Sequence, residues 1–174
     1  YDQSTYSNLD DNKLIRFLMA LAMRKAMMQQ MNPTIIKSDI KAVLNDLIAA
    51  DNSRTAEDPL KFTAQDKRHL FQDKGLINNG LLTTAGGDRR SYQFIHLTFQ
   101  EFLVAKQIAD WICHSDEQAV SFIREFKYDD SYHAVWPFVG GLLTPSNDLT
   151  TLQTFLALLL SSSYNIVAGL FDKY

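Results

Sequence analysis

The stretch YQFIHLTFQEFLVAKQIADWI, residues 92–112, joins a short β-branched and aromatic run to a longer run whose apolar residues recur at helical spacing. Its one histidine, His96, falls at the junction. Three readings are open there: filler at a strand end, a catalytic base, or a group that senses what sits at a helix N-terminus. The following helix carries a start signal in which Thr98 caps, Glu101 completes a capping box, and Leu97 with Phe102 forms a hydrophobic staple. His96 then lies just outside the first turn. Phe102, Ala105, Ile108, Ala109 and Ile112 make the expected buried stripe, with Lys106, Gln107 and Asp110 facing outward.

Upstream, apolar residues at helical spacing from Leu9 to Met31 predict a long first helix that Pro33 closes. Its methionines (19, 23, 27, 28 and 31) read as core filling rather than as a binding stripe. Ser38 is the expected cap of a second helix that buries Ile40, Val43, Leu44, Leu47 and Ile48 and ends near Ala50. DNSRTAEDP, 51–59, is a polar loop. Thr63 and Asp66 then open a third helix with Leu70 and Phe71 inward, closed by Gly75 or Gly80. Runs at Leu81–Thr84 and Ser91–Ile95 flank AGGDRR, whose Gly86-Gly87 tolerates positive φ, so they predict a β-hairpin over about residues 81–95.

Downstream, Ser115 with Gln118 suggests another capping box, leading a helix that buries Ala119, Phe122, Ile123 and Phe126. Pro137 marks a candidate kink and Pro145 a stop. DLTTLQTFLALLL is a further helix, and NIVAGLF near the end is apolar without a visible partner. The expected fold class is mainly α: a winged-helix domain with one small β-hairpin over residues 1–113, then an α-helical domain, truncated, over 114–174.

The 174 residues are 46% apolar, enough for a hydrophobic core. A net charge of −3 and a pI near 5.8 argue against a generic polyanion binder, since that affinity comes mainly from lysine and arginine on phosphates. One cysteine, Cys113, excludes an intrachain disulfide and suits a reducing, cytoplasmic compartment. Cys113-His114 lacks a second ligand pair at zinc spacing. The longest apolar run, FLALLL, is far below the ~18 residues of a membrane span, and YDQSTYSNLDD has no signal-peptide features. Beginning at Tyr1 without methionine, the chain is expected to be a piece of a longer polypeptide.

No G-x-x-x-x-G-K-[ST] loop is present, so this piece is not expected to hydrolyse a nucleotide alone, and no G-x-S-x-G elbow suggests a serine nucleophile. His69, His114 and His133 lie on different elements and read as surface or packing residues. His96 differs by position, because a helix N-terminus offers unpaired N–H donors and partial positive charge that an imidazole can supplement toward a phosphate. Neither packing nor anion contact is excluded by this argument. No catalytic residue and no metal ligand is assigned.

FIHLTFQEFLVAKQI resembles the segment that ends the winged-helix domain in NACHT-type signal-transduction ATPases, the group containing NOD-like receptors and bacterial relatives. Phe94, His96, Gln100, Glu101, Phe102 and Ala105 fit its pattern. LMALAMRKAM is similar to the opening helix of that domain, KGLINNGLLT to the approach to its hairpin, and WPFVGGLLT to the Gly-Leu-Leu helix of the helical domain that follows.

The resemblance implies that His96 contacts the β-phosphate of ADP in an upstream nucleotide-binding domain of the intact parent and holds the closed state. ADP-to-ATP exchange then frees the domains for self-oligomerisation. It implies packing and capping for Gln100, Glu101 and Phe102, and ADP or ATP as cofactor of the parent only, with no membrane partner. The alternative is a DNA-binding winged helix using Lys67, Arg68 and Lys74 on the third helix and Arg89 and Arg90 in the wing. The acidic average weighs against nucleic acid.

Overall fold

In the computed structural model of the chain, the described residues are 10–28, 34–71, 81–86, 91–144 and 149–161, without the side chains of His69 and Phe71. The chain divides into two compact units, Tyr1–Gln107 and Ile108–Tyr174. The division falls within a helix whose end, Cys113, is the border expected from sequence.

The first unit begins with α1 (Asp11–Met27), where the Asp10 side chain accepts the Asn12 N–H and Arg24 and Lys25 occupy the last turn. Acid at the start and base at the end both suit the helix dipole. Next come β1 (Ile35–Ile36), α2 (Lys37–Ala50), a 3-10 turn at Asp51–Ser53, α3 (Ala64–Phe71), β2 (Leu82–Thr84) and β3 (Ser91–Phe94). β3 lies between the other two strands, and both pairings are antiparallel. Helix, strand, two helices and a hairpin, with the first strand beside the last, is the winged-helix arrangement.

The expected hairpin is present and mainly-α architecture holds, but the two-residue β1 had no sequence signal. Its identity as a strand comes from pairing, Ile35 opposite Tyr92 and Ile36 opposite Ser91. Ile35, Tyr92, Phe94 and Leu82 fill the core beneath the sheet with Phe17, Leu18, Leu21, Ile40 and Leu44.

Several local expectations are corrected. Helix α2 begins before Ser38, and the Asp39 carboxylate, not the serine, closes its start by accepting the Ile36 N–H at 3.1 Å. Met19 and Met23 are buried as expected, but Met27 and Met28 are about half exposed at the end of α1. Thr63 and Asp66 do form a reciprocal box: each backbone N–H meets the other's side chain, at 2.8 and 3.2 Å. Gly75, Gly80, Pro33 and Pro145, like NIVAGLF, lie outside the described residues.

Asp51, in the loop that looked merely polar, has no exposed surface. Arg16 of α1 holds it with two 2.7 Å bonds, Arg54 reaches it at 2.9 Å, and the Phe62 N–H donates at 2.9 Å. Arg16 also donates to the Leu60 carbonyl and lies over the Phe62 ring. Burial pushes the Asp51 carboxyl pKa up, but the bonds from Arg16 and Phe62 together with the Arg16 and Arg54 charges outweigh it, leaving the group below its ordinary value.

Helix α4 (Leu97–Cys113), within which the division falls, ends in a Schellman turn: the Asp116 N–H reaches the Trp111 carbonyl, the Ser115 N–H reaches that of Ile112, and Ser115 sits at φ 55. Ser115 therefore ends α4 instead of capping its successor. Asp116 caps α5 (Glu117–Phe126) by accepting the Gln118 N–H. A 3-10 turn at Asp130–Tyr132 leads to α6 (Val135–Leu143), and α7 (Leu149–Leu160) follows. Pro137 occupies the first turn of α6, where its missing N–H costs nothing, so it marks a helix start and not a kink. Trp111, Phe122, Phe126, Tyr132 and Trp136 form an aromatic knot with ring separations of 4.6 to 6.4 Å. Burial first, then the Asp129 and Glu125 charges, pushes the Tyr132 phenol up to about 12.

Two outcomes are expected. Asp51→Ala strands Arg16 and Arg54 and should cost about 3 kcal/mol in chemical denaturation. Because the folded pKa of Asp51 is depressed, the stability difference between wild type and Asp51→Asn should be full above about pH 5 and shrink as pH falls below about 4. A pH-independent difference would refute the assignment. Ser115→Gly should raise stability by about 1 kcal/mol, because glycine takes positive φ without a Cβ clash.

Candidate functional site

β3 delivers the chain to His96. The Ile95 N–H still bonds to the Leu81 carbonyl at 3.0 Å, which fixes the backbone up to the residue before it. The His96 carbonyl then accepts the Phe99 N–H at 3.1 Å, and α4 starts at Leu97. His96 thus occupies the cap position itself, and Thr98 lies inside the first turn, so the expected Thr98–Glu101 box and the Leu97–Phe102 staple are not used. The physical reason is the rotation of the helix. Gln100 and Glu101 turn inward and are buried with Leu103, Val104, Ala105 and Ile108, which leaves Phe99 and Phe102 on the opposite side.

The His96 ring is exposed and its centroid lies 6.0 Å from that of Phe99, tilted by 52°. Four apolar side chains surround it in sequence and share its exposure: Ile95 at 44%, Leu97 at 38%, Phe99 at 39% and Phe102 at 38%. Phe102, expected in the buried stripe, belongs to this exposed set. The first N–H groups of α4 have no acceptor within the helix, as in any α-helix, and the local dipole favours an anion. An exposed imidazole beside them can donate to a phosphate oxygen. Gln100 and Glu101 are packed inside and are not placed to contact a ligand.

The other histidines behave differently. The rings of His114 and His133 lie within 2.7 and 2.8 Å of the Asp110 and Asp130 carbonyls. A carbonyl can only accept, so Nδ1 donates in both and each ring trims a local turn. Cys113 is exposed, and among the described residues no group of three His, Cys, Asp or Glu is arranged to hold a metal.

Of the residues named for a DNA-binding face, Lys67 donates to Asn45 Oδ1 at 2.7 Å and Arg68 is exposed, while Lys74, Arg89 and Arg90 lie outside the described residues. Sequence reasoning missed the exposure of Ile95, Leu97 and Phe99. The i, i+3 apolar spacing of Phe99 and Phe102 is a usable signal, but only Phe102 enters the sequence reading, as part of the buried stripe.

If these apolar residues form a surface and not a core, Phe99→Ser and Phe102→Ser should each change thermal stability by no more than about 0.5 kcal/mol. Leu103→Ala, one turn from both, should cost about 2–4 kcal/mol. No family model, curated protein or solved structure matches the chain.

Proposed function

We propose that this chain is a non-catalytic regulatory module of a multidomain, nucleotide-dependent signalling switch of the NACHT type. His96 would contact the β-phosphate of ADP held by an upstream nucleotide-binding domain of the same polypeptide. The single observation carrying this reading is the exposed imidazole at the start of α4, flanked in sequence by exposed apolar side chains, at the end of a winged helix. An imidazole serving only as filler would be expected among aliphatic neighbours.

The physical logic is closure. A diphosphate brought to the first turn of α4 gains the helix dipole and an imidazole donor, and burial of Ile95, Leu97, Phe99 and Phe102 against the partner domain excludes the water that would screen the contact. Exchange of ADP for ATP withdraws the β-phosphate contact and releases the module, which frees the parent to self-associate. ATP hydrolysis belongs to the parent, in the cytoplasm, and this module contributes no catalytic group to it. No helix among the described residues is long and apolar enough to cross a membrane, which is compatible with that setting.

The test is His96→Ala in the intact parent purified with ADP. A hydrogen bond to a charged phosphate is worth about 1.5–3 kcal/mol, so ADP should dissociate about tenfold faster or more, with a larger oligomeric fraction. Unchanged ADP retention together with an unchanged oligomeric state would remove this reading.

A further inference from the structure

The charges of the first unit are sorted. Helix α1 carries four cations, and each meets a carboxylate: Lys13 meets Asp66 at 3.1 Å, Arg16 meets Asp51 at 2.7 Å, Arg24 meets Asp46 at 3.9 Å and Lys25 meets Asp39 at 2.6 Å. Asp39, Asp46 and Asp66 are all the carboxylates that α2 and α3 possess. These helices therefore face α1 with their acids, and Lys41 and Arg68 have no ion pair among the described residues. Lys37 and Lys41 are exposed and stand four residues apart, with Asn45 four residues further along the same face of α2, a row of about 12 Å. The bond from Lys67 to Asn45 places an α3 lysine at the end of that row, next in sequence to the exposed Arg68.

The second unit carries the opposite surplus. Tyr1–Gln107 has fourteen Lys and Arg against twelve Asp and Glu, a net +2, whereas Ile108–Tyr174 has three against eight, a net −5. Part of that acidity collects where α5 turns into the following 3-10 segment, at Glu125, Asp129 and Asp130. Glu125 and Asp130 are exposed. Lys127, which lies between them in sequence, is occupied elsewhere: its ammonium donates to the carbonyls of Leu158 and Ser161 and to the Ser161 hydroxyl, closing the end of α7. Among the described residues, none of the three carboxylates has an ion pair.

We propose that the cationic α2–α3 face of one chain, Lys41, Lys67 and Arg68, docks on the Glu125–Asp129–Asp130 elbow of a second copy of this chain. The overall charge of −3 weighs against a long polyanion as the occupant. The chain itself supplies a compact acidic surface, and docking patch on patch brings opposite charges together locally. Because the two patches differ, the contact is heterologous and can propagate beyond a dimer. It uses neither His96 nor nucleotide, so it stands or falls separately from the switch reading.

The experiment is sedimentation velocity of the whole chain from about 10 to about 200 µM, in about 0.02 and about 0.5 M salt, between which the screening length falls severalfold. Reversible association is expected at low salt, with an apparent Kd at least about tenfold weaker at high salt. Lys41→Glu/Arg68→Glu should sediment as a monomer, and so should Glu125→Lys/Asp130→Lys. An equimolar mixture of the two variants should associate again, since each retains the patch the other lost. Unchanged thermal unfolding of both exposed double variants would confirm that folding is intact; if either melts early, the milder Lys41→Gln/Arg68→Gln and Glu125→Gln/Asp130→Asn pairs replace them, each expected to weaken association. A wild-type chain that stays monomeric at low salt overturns the proposal, as does a mixture that fails to associate. Micromolar binding of a short duplex by a monomeric wild type, lost in Lys41→Glu/Arg68→Glu, also overturns it and gives the face to a phosphate backbone instead.

Discussion

The bidentate pair between Arg16 and Asp51 is the contact on which the first unit depends. Asp51 is a carboxylate with no solvent, at the exit of α2, and it survives there because two guanidinium groups and a backbone N–H surround it. One group thus ties α1, the end of α2 and the segment leading into α3 at Phe62. Three further pairs, from Lys13, Arg24 and the buried Lys25, continue the same register along α1. Exposed pairs of this kind contribute little each, but the buried ones specify how α1 meets α2, because any other rotation would strand a charge. With the three helices set, the three strands can close beneath them, and β3 can hand the chain to His96.

The second unit is organised by packing instead of charge. Phe122 touches Trp111, Phe126, Tyr132 and Trp136, so one ring gathers three helices, α4, α5 and α6, and the turn between the last two. Aromatic pairs at these separations add to the area they bury. Tyr132 is fully buried there, and its raised phenol keeps the group neutral at any ordinary pH. The acidic elbow beside it stays outside the knot, where water can hydrate it.

The site at His96 follows from a conflict between local and tertiary preferences. TFQEF reads as a helix start with a threonine cap and a glutamate three residues on, and an isolated peptide would be free to use them. Strand β3 ends too late for that, because Ile95 is still bonded to Leu81 and the helix begins at once. The rotation that results buries Gln100 and Glu101 and exposes Phe99 and Phe102. That inversion of polar and apolar residues, in the turn next to an exposed histidine, is the feature that sets this surface apart from an ordinary solvated helix.

Element type was legible wherever the signal is local. The i, i+3, i+4 rows of α1, α2, α5 and α7, the Thr63–Asp66 box and the glycine-containing hairpin all depend on neighbours a few residues apart, which a sequence states directly. The position of His96 between strand and helix was legible for the same reason. The burial of Asp51, the existence of β1 and the direction of Phe99 and Phe102 were not. Asp51 needs a partner 35 residues away, β1 needs Tyr92, and the face of α4 depends on where β3 releases the chain. Each of these is set by a contact between distant segments, and such contacts leave no periodic trace in the order of the residues.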